Sequence, residues 1–136
     1  MDDLNLSMFD GEWLGKTLGI ELVEITPERV VATMPITPVH HQPYGYLHGG
    51  ASVALAETVA SLGGALNAPP GRLVFGLEIN ANHVRSRRSG TLKATATPAH
   101  VGQTTQIWEI RIVDETDKLV CISRCTLAVV PSDATM

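Results

Sequence analysis

Residues 50–66 read GASVALAETVASLGGAL, the longest helical pattern in the chain. On a wheel of 3.6 residues per turn, the larger apolar side chains fall on one stripe, which predicts the face that packs on a sheet. The members of this stripe are Leu55, Val59, Leu62 and Leu66. Two prolines and a glycine follow within residues 67–71, so we expect the helix to end there.

The opposite side of the predicted helix carries one charged group among very small residues. Its members are Gly50, Ala54, Glu57, Ser61 and Gly64. A solvated helix face would carry Lys, Glu and Gln, so we expect both faces to be covered by protein, the second one by another subunit. Glu57 would then lie in a confined space, where a carboxylate without a partner becomes more basic. A pairing of Glu57 with an arginine across the interface remains the alternative.

Segments rich in Val, Ile and Thr flank this helix and predict six strands. They lie at residues 19–26, 29–36, 73–81, 90–101, 104–115 and 119–130, and the first two form a hairpin. Residues 8–18 predict a short amphipathic helix, and residues 37–48 predict a loop. One long helix on an antiparallel sheet is an α+β architecture. The chain of 136 residues shows no repeat or linker, so a single domain over 1–136 is expected.

Composition restricts the partners that the protein can have. The formal net charge of -4 argues against nucleic acid or an anionic membrane. No stretch is long and apolar enough to cross a bilayer, and the first residues do not resemble a secretory signal.

Cys121 and Cys125 are separated by roughly 13 Å on a predicted strand, too far for a disulfide. We therefore expect reduced cysteines and a cytoplasmic protein. His40, His41 and His100 have no cysteine or carboxylate at ligand spacing, so no metal site is expected.

The residues where the loop meets the helix suggest a reaction at a carbonyl group. His48, Gly49 and Gly50 lie at the helix start, where backbone N–H groups are unpaired and the helix dipole is positive. Glycine allows a ligand to approach, so an oxygen that becomes negative could be held there. A carboxylate two turns later suits attack on an ester or thioester, and Ser61 lies one turn after Glu57. A tight turn with a helix cap is the alternative for the glycines.

Two blocks resemble a known family of enzymes. HQPYGYLHGGASVALAETVAS (41–61) and VFGLEINANHVRSRRSG (74–90) resemble the hotdog-fold acyl-CoA thioesterases that use a helix glutamate. These include 4-hydroxybenzoyl-CoA and 1,4-dihydroxy-2-naphthoyl-CoA thioesterases and the proofreading thioesterase of enterobactin synthesis. The similarity spans about 18–130. It implies one long helix wrapped by a curved antiparallel sheet, a homo-oligomer that is usually a tetramer formed from two dimers, and active sites between subunits.

The resemblance also implies roles for individual residues. Glu57 would be the catalytic carboxylate, as nucleophile or as general base, and Gly49 the N–H donor to the thioester oxygen. Gln42 would orient the reacting group, His48 would hydrogen-bond the thioester, and Ser61 would position water. The implied substrate-binding residues are His83, Val84, Arg85, Ser86, Arg88, Thr104 and Thr105. No cofactor is needed, since coenzyme A is part of the substrate.

The sequence leaves several questions open. Arg85, Arg87 and Arg88 form the densest basic cluster, and we expect at least one of them to contact a phosphate of coenzyme A, ordinary surface charge being the alternative. A hotdog dehydratase and a non-catalytic acyl-CoA binding module are rival functions. The second block indicates an aromatic acyl group such as dihydroxynaphthoyl, whereas a broad-specificity proofreading or housekeeping enzyme is the alternative.

Overall fold

The computed structural model describes residues 6–132, which form six antiparallel strands and one long helix. The strands are β1 (Glu21–Thr26), β2 (Arg29–Ile36), β3 (Arg72–His83), β4 (Gly90–Val101), β5 (Thr105–Val113) and β6 (Leu119–Pro131). The helices are α1 (Leu14–Thr17) and α2 (Gly49–Asn67), with 3-10 turns at Leu6–Phe9 and Pro38–His40. The strand ranges follow the predicted ones to within a few residues, because each strand carries a strong pattern of β-branched residues.

The strands form one sheet in the order β1-β2-β4-β5-β6-β3. The chain passes through α2 between β2 and β3, so β3 is added at the far edge of the sheet. The helix contacts all six strands, which requires the sheet to curve around it. The predicted α+β architecture, with one long helix wrapped by an antiparallel sheet, is confirmed.

More of the surface of α2 faces the sheet than the apolar stripe predicts. Leu55, Val59 and Leu62 are buried as expected, whereas Leu66 near the helix end is only half-buried. The other buried residues of α2 are small: Ser52, Ala56, Ala60, Gly63 and Gly64. Gly64 lies against Leu127 of β6, where a Cβ atom would collide with that side chain. The prediction that Gly64 faces away from the core is therefore wrong, because small residues let the helix approach its own sheet closely.

The N-terminal segment differs from the single helix predicted over residues 8–18. A 3-10 turn and the one-turn helix α1 replace it, and Trp13 between them is extended, with φ -159° and ψ 164°. Gly11 weakens any helix here. The ring of Trp13 occupies the space above Gly15, where a Cβ atom would collide with it. The prediction of a continuous helix is therefore wrong.

Two local features of the sheet affect the site. β3 contains a bulge between Gly76 and Glu78, so that Leu77 has no partner on β6. Cys121 and Cys125 are buried free thiols on one face of β6, as predicted.

Candidate active site

The start of α2 presents a backbone N–H group without a partner. His48 is the N-cap, and its Nδ1 atom accepts a hydrogen bond from the Gly50 N–H group at 2.7 Å. In a neutral ring the proton is then on Nε2, which is free to donate because the side chain is exposed. The Gly49 N–H group makes no hydrogen bond with any residue in 6–132. This group is thus available to an oxygen at the positive end of the helix.

The loop before α2 orients the side-chain amide of Gln42. Its Oε1 atom accepts hydrogen bonds from the N–H groups of Tyr44 at 2.5 Å and Tyr46 at 3.4 Å. The loop is closed by the Gln42 N–H group, which donates to the Tyr46 carbonyl at 2.8 Å. With the oxygen engaged, the amide NH₂ group remains as the donor.

Gln42 and Gly49 line the same cavity, which has a volume of about 330 Å³. Part of its wall is His83, whose Nε2 atom would be only 2.8 Å from a Cβ atom placed on Gly49. Only glycine therefore fits at position 49 without moving the histidine. Val84, Arg85 and Ser86 also line this cavity, so it brings together six of the residues predicted to contact substrate.

The Glu57 carboxylate lies over the backbone of β3. A Cβ atom on Gly76 would be 2.5 Å from its Oε2 atom, so the glycine beside the bulge makes room for it. The side chain is half-buried and makes no hydrogen bond or ion pair with another described residue. Burial, together with the charges of Glu57 and Glu78, raises the pKa of the Cys125 thiol to about 11. The thiol is thus a neutral neighbour of the carboxylate.

A second cavity, of about 560 Å³, lies beside Glu57. Ser61 lines it one turn further along α2. The remaining wall is mostly apolar and includes Phe9 and Trp13 from the N-terminal segment and Phe75 from β3. The cavity can therefore hold an apolar group next to a carboxylate and a hydroxyl.

The chain matches a family model described as the thioesterase superfamily over residues 44–121. The chain belongs to the thioesterase superfamily. It is 54% identical over 116 residues to a 1,4-dihydroxy-2-naphthoyl-CoA hydrolase of Listeria monocytogenes, covering 85% of this chain and 94% of the relative. It is 45% identical over 112 residues to a proofreading thioesterase of Cronobacter turicensis, covering 82% of each protein.

Solved structures agree with this assignment. The crystal structure of a thioesterase from Haemophilus influenzae superposes with a TM-score of 0.89 at 45% identity, covering 96% of this chain and 91% of that one. The predicted hotdog fold is confirmed, and the protein is a thioester hydrolase.

The two cavities of this thioesterase are separate within one chain. Gly49 lines one and Glu57 the other. Eight residues separate them on α2, which corresponds to about 12 Å along the helix axis. Within one chain, the N–H donor and the carboxylate therefore face different cavities.

The predicted coenzyme A contacts of the thioesterase are also divided. Thr105 pairs with Ala128 near the end of β6, and the Thr104 carbonyl accepts from the Val129 N–H group at 2.9 Å. His83 pairs with Cys121 at the start of β6. Cys121 and Ala128 are seven residues apart on β6, which corresponds to about 24 Å along the strand. One chain does not bring Thr104 and Thr105 to the cavity that contains Arg85 and Ser86.

The three arginines of the thioesterase have different surroundings. Arg87 donates to Asp114 at 2.6 Å and also pairs with Glu115, so its charge is already engaged. The guanidinium of Arg88 lies 4.2 Å from the Tyr46 ring centroid and donates to its hydroxyl at 3.0 Å. Arg85 makes no hydrogen bond or ion pair within the described part of the chain. Of the three guanidinium groups, that of Arg85 is thus the one without a partner among the described residues, and Arg85 lines the cavity that contains Gly49.

Sequence reasoning missed several residues that line the two cavities of the thioesterase. Ser52 lies beside Gly49 and is fully buried, but its position on the wheel gave it no role. Phe9, Trp13 and Arg72 line the Glu57 cavity, and no local sequence signal indicates this, because they come from other elements of the chain than α2. His40 and His41 instead direct Nε2 at the backbone carbonyls of Leu18 and Arg88, at 2.6 and 2.7 Å.

Two further findings concern ions and membranes. Within residues 6–132, no group of three or more His, Cys, Asp or Glu side chains could hold a metal ion. None of the helices that the structure describes is long and apolar enough to span a membrane.

Proposed function

We propose that this thioesterase hydrolyses coenzyme A thioesters of aromatic acids, with Glu57 as the catalytic carboxylate. The observation that carries the proposal is the state of Glu57. Its carboxylate is half-buried without a partner among the described residues, and it lies beside the Ser61 hydroxyl in a largely apolar cavity. A carboxylate held in this way has no structural ion pair, which supports a role in the reaction.

The proposed reaction adds water to the thioester and gives the free acid and the coenzyme A thiol. The Gly49 N–H group and the Gln42 amide would hold the carbonyl oxygen as it becomes negative. The carboxylate either attacks the carbonyl carbon, so that the C–S bond breaks, the coenzyme A thiolate leaves and an anhydride forms that water cleaves, or it removes a proton from the attacking water. Ser61 would position that water, and the His48 Nε2–H group would hydrogen-bond the thioester. Neither route needs a cofactor.

We propose that each active site is shared by two chains that pair through β3. The other edge strand, β1, has six residues and carries Glu21 and Glu24. By contrast, β3 is twelve residues long, and its side chains are mostly exposed. Leu73, Phe75 and Leu77 are 45%, 38% and 62% exposed. A long exposed edge strand with an apolar segment at residues 73–77 is a template for pairing with another strand, which supports a dimer.

Two-fold symmetry would bring the separated halves of the site together. If two copies of β3 pair antiparallel, the end of one strand lies beside the start of the other. The Gly49 end of α2 in one chain then approaches the Glu57 cavity of its partner. In the same way, the Arg85 and Ser86 segment approaches the partner's Thr104 and Thr105. The predicted tetramer, a dimer of such dimers, stays a prediction.

The acyl group that we propose first is 1,4-dihydroxy-2-naphthoyl. The relative from Listeria monocytogenes that is named for this substrate supports it, as does the block at residues 74–90. A broad proofreading thioesterase is the second candidate, because a relative with that name is 45% identical. The expected cytoplasmic location stays a prediction from the sequence.

The test measures kcat/KM for a panel of aryl- and alkyl-CoA thioesters with wild type, Glu57→Ala and Ser61→Ala. We expect Glu57→Ala to lose hydrolysis while staying folded, and Ser61→Ala to lose less. A sharp preference for 1,4-dihydroxy-2-naphthoyl-CoA supports the first candidate, and a flat profile supports the second. Undiminished turnover by Glu57→Ala would overturn the catalytic role of this residue.

A further inference from the structure

We infer that the aromatic pair Phe9–Trp13 forms one wall of the acyl pocket and makes the enzyme select flat aromatic acyl groups over aliphatic ones. The inference rests on the proposed function, since it names what fills the cavity beside Glu57. The distribution of aromatic residues carries it. The chain has two Phe, two Tyr and two Trp residues. Both phenylalanines, Phe9 and Phe75, and one tryptophan line this single cavity.

The two rings of the pair are held in place before any ligand binds. The ring centroids of Phe9 and Trp13 are 5.1 Å apart with an angle of 62° between the planes, an edge-to-face contact. The Trp13 Nε1–H group donates to the Phe9 carbonyl at 3.3 Å. Gly15 completes the arrangement, because any larger residue would displace the indole ring. Rings that are already ordered lose little conformational entropy when a ligand arrives.

The position of the pair relative to Glu57 explains why it would affect selectivity. Glu57 and Ser61 supply the reacting side of the cavity, whereas Phe9, Trp13 and Phe75 supply apolar walls. An aryl group can make both face and edge contacts with such walls, in addition to burying its surface. An alkyl chain gains only from burial. The cavity of about 560 Å³ is within the size range of small-ligand pockets.

The test compares two ligands that cannot be hydrolysed, phenacyl-CoA and 2-oxopentyl-CoA. In both, a methylene group separates the sulphur from the carbonyl carbon. Calorimetric titration of Trp13→Leu should give about tenfold weaker binding of phenacyl-CoA and less than about threefold weaker binding of 2-oxopentyl-CoA. Trp13→Phe, which keeps an aromatic ring, should retain most of the affinity for phenacyl-CoA.

Two further variants make the result specific. Phe9→Leu should shift selectivity in the same direction as Trp13→Leu, which covers the case in which Trp13→Leu does not fold. Val23→Ala is the control, because Val23 is an exposed apolar residue of β1 that lines neither cavity. Equal losses for both ligands, or no loss for phenacyl-CoA, would overturn the inference.

Hydrolysis assays with benzoyl-CoA and butyryl-CoA separate this inference from the proposed function. If Trp13→Leu loses selectivity for phenacyl-CoA while the wild type hydrolyses neither thioester, the inference holds and the proposed function fails. If the wild type hydrolyses both and the ratio of their kcat/KM values is unchanged in Trp13→Leu and Phe9→Leu, the inference fails and the proposed function holds.

Discussion

Gly49 and Gly76 each leave space for one side chain of the candidate site. Neither has a positive φ angle, so the absence of a side chain is what matters at both positions rather than backbone freedom. Gly49 accommodates the ring of His83, and Gly76 accommodates the carboxylate of Glu57. The second contact can be tested directly, because the displaced group would be the flexible end of a side chain.

Gly76→Ala should move the Glu57 carboxylate and leave the fold intact. A Cβ atom 2.5 Å from Oε2 forces the carboxylate to shift, whereas the strand can accept alanine. A misplaced catalytic group should lower kcat by about 10- to 100-fold with a smaller change in KM. The measurement is steady-state hydrolysis together with thermal unfolding.

Gly11→Ala is the matched control for Gly76→Ala. An added Cβ atom at Gly11 meets nothing within 4 Å. Both variants should unfold at temperatures close to that of wild type, and only Gly76→Ala should be slow. Full turnover by Gly76→Ala would show that the position of the carboxylate does not limit the reaction.

We expect Ser52 to lower the stability of the folded chain. Its Oγ atom is the one buried side-chain oxygen or nitrogen in the described residues without a hydrogen-bond partner. Ser52→Ala removes this uncompensated group and should raise the free energy of unfolding by up to about 1 kcal/mol. Ser123→Ala is the comparison, because Ser123 Oγ donates to the Asn80 carbonyl at 2.8 Å, and its loss should cost about 1 kcal/mol. Urea unfolding measures both, and destabilisation by Ser52→Ala would show that its hydroxyl has a partner in solution.

At the scale of elements, an ion-pair clamp joins the β3–β4 loop to the β5–β6 turn. Arg87 of the loop pairs with Asp114 and Glu115 of the turn. The carbonyl of Arg87 then accepts from the Leu47 N–H group at 2.7 Å, and that of Arg88 accepts from His41. The clamp thus supports the loop that carries Gln42.

The clamp should make stability depend on pH at the acid end. The hydroxyl of Thr116, the N–H groups of Lys118 and Thr116, and Arg87 hold the pKa of Asp114 far below its ordinary value. A carboxyl group whose pKa is lower in the folded chain than in the unfolded chain stabilises the fold at any pH above the unfolded-chain pKa, which is about 4 for Asp. This stabilisation is lost as the pH falls below that value. Asp114→Asn should therefore be less stable near neutral pH, and its unfolding free energy should fall less steeply below about pH 4.

The control for Asp114→Asn lies in the same turn. Asp117 has a φ of 62°, which asparagine tolerates, and Asp117→Asn makes the same chemical change. Chemical unfolding between neutral pH and about pH 3 compares the two variants with wild type. Identical pH profiles for Asp114→Asn and Asp117→Asn would contradict the role of the clamp.

The sequence predicted elements well where a periodic pattern was strong. The helix α2 and all six strands follow from their apolar spacing and from the turn residues between them. The N-terminal segment was predicted wrongly. Its conformation follows from the aromatic contact between Phe9 and Trp13, and the periodicity of its sequence does not show that contact. Arg87 shows the same limit, since its acidic partners are 27 and 28 residues away in sequence.

At the scale of the whole molecule, the proposed shared site depends on which strand lies at the edge of the sheet. The sequence predicted a second subunit from the stripe of small residues on α2, yet one member of that stripe, Gly64, packs on the sheet of the same chain. The structure supports the same expectation for another reason, the long exposed strand β3. No local pattern could have revealed this, because the position of β3 at the edge depends on the order of all six strands.

The most direct measurement is the activity regained when two inactive variants are mixed. Glu57→Ala and Gln42→Ala should each be inactive alone. If every site takes Gln42 from one chain and Glu57 from its partner, a mixed dimer has one intact site. Refolding equal amounts together should then restore about a quarter of wild-type activity, since half of the dimers are mixed and each has one working site of two. If the mixture stays as inactive as the separate variants although mixed dimers form, Gln42 and Glu57 do not act across the interface and the shared site is contradicted.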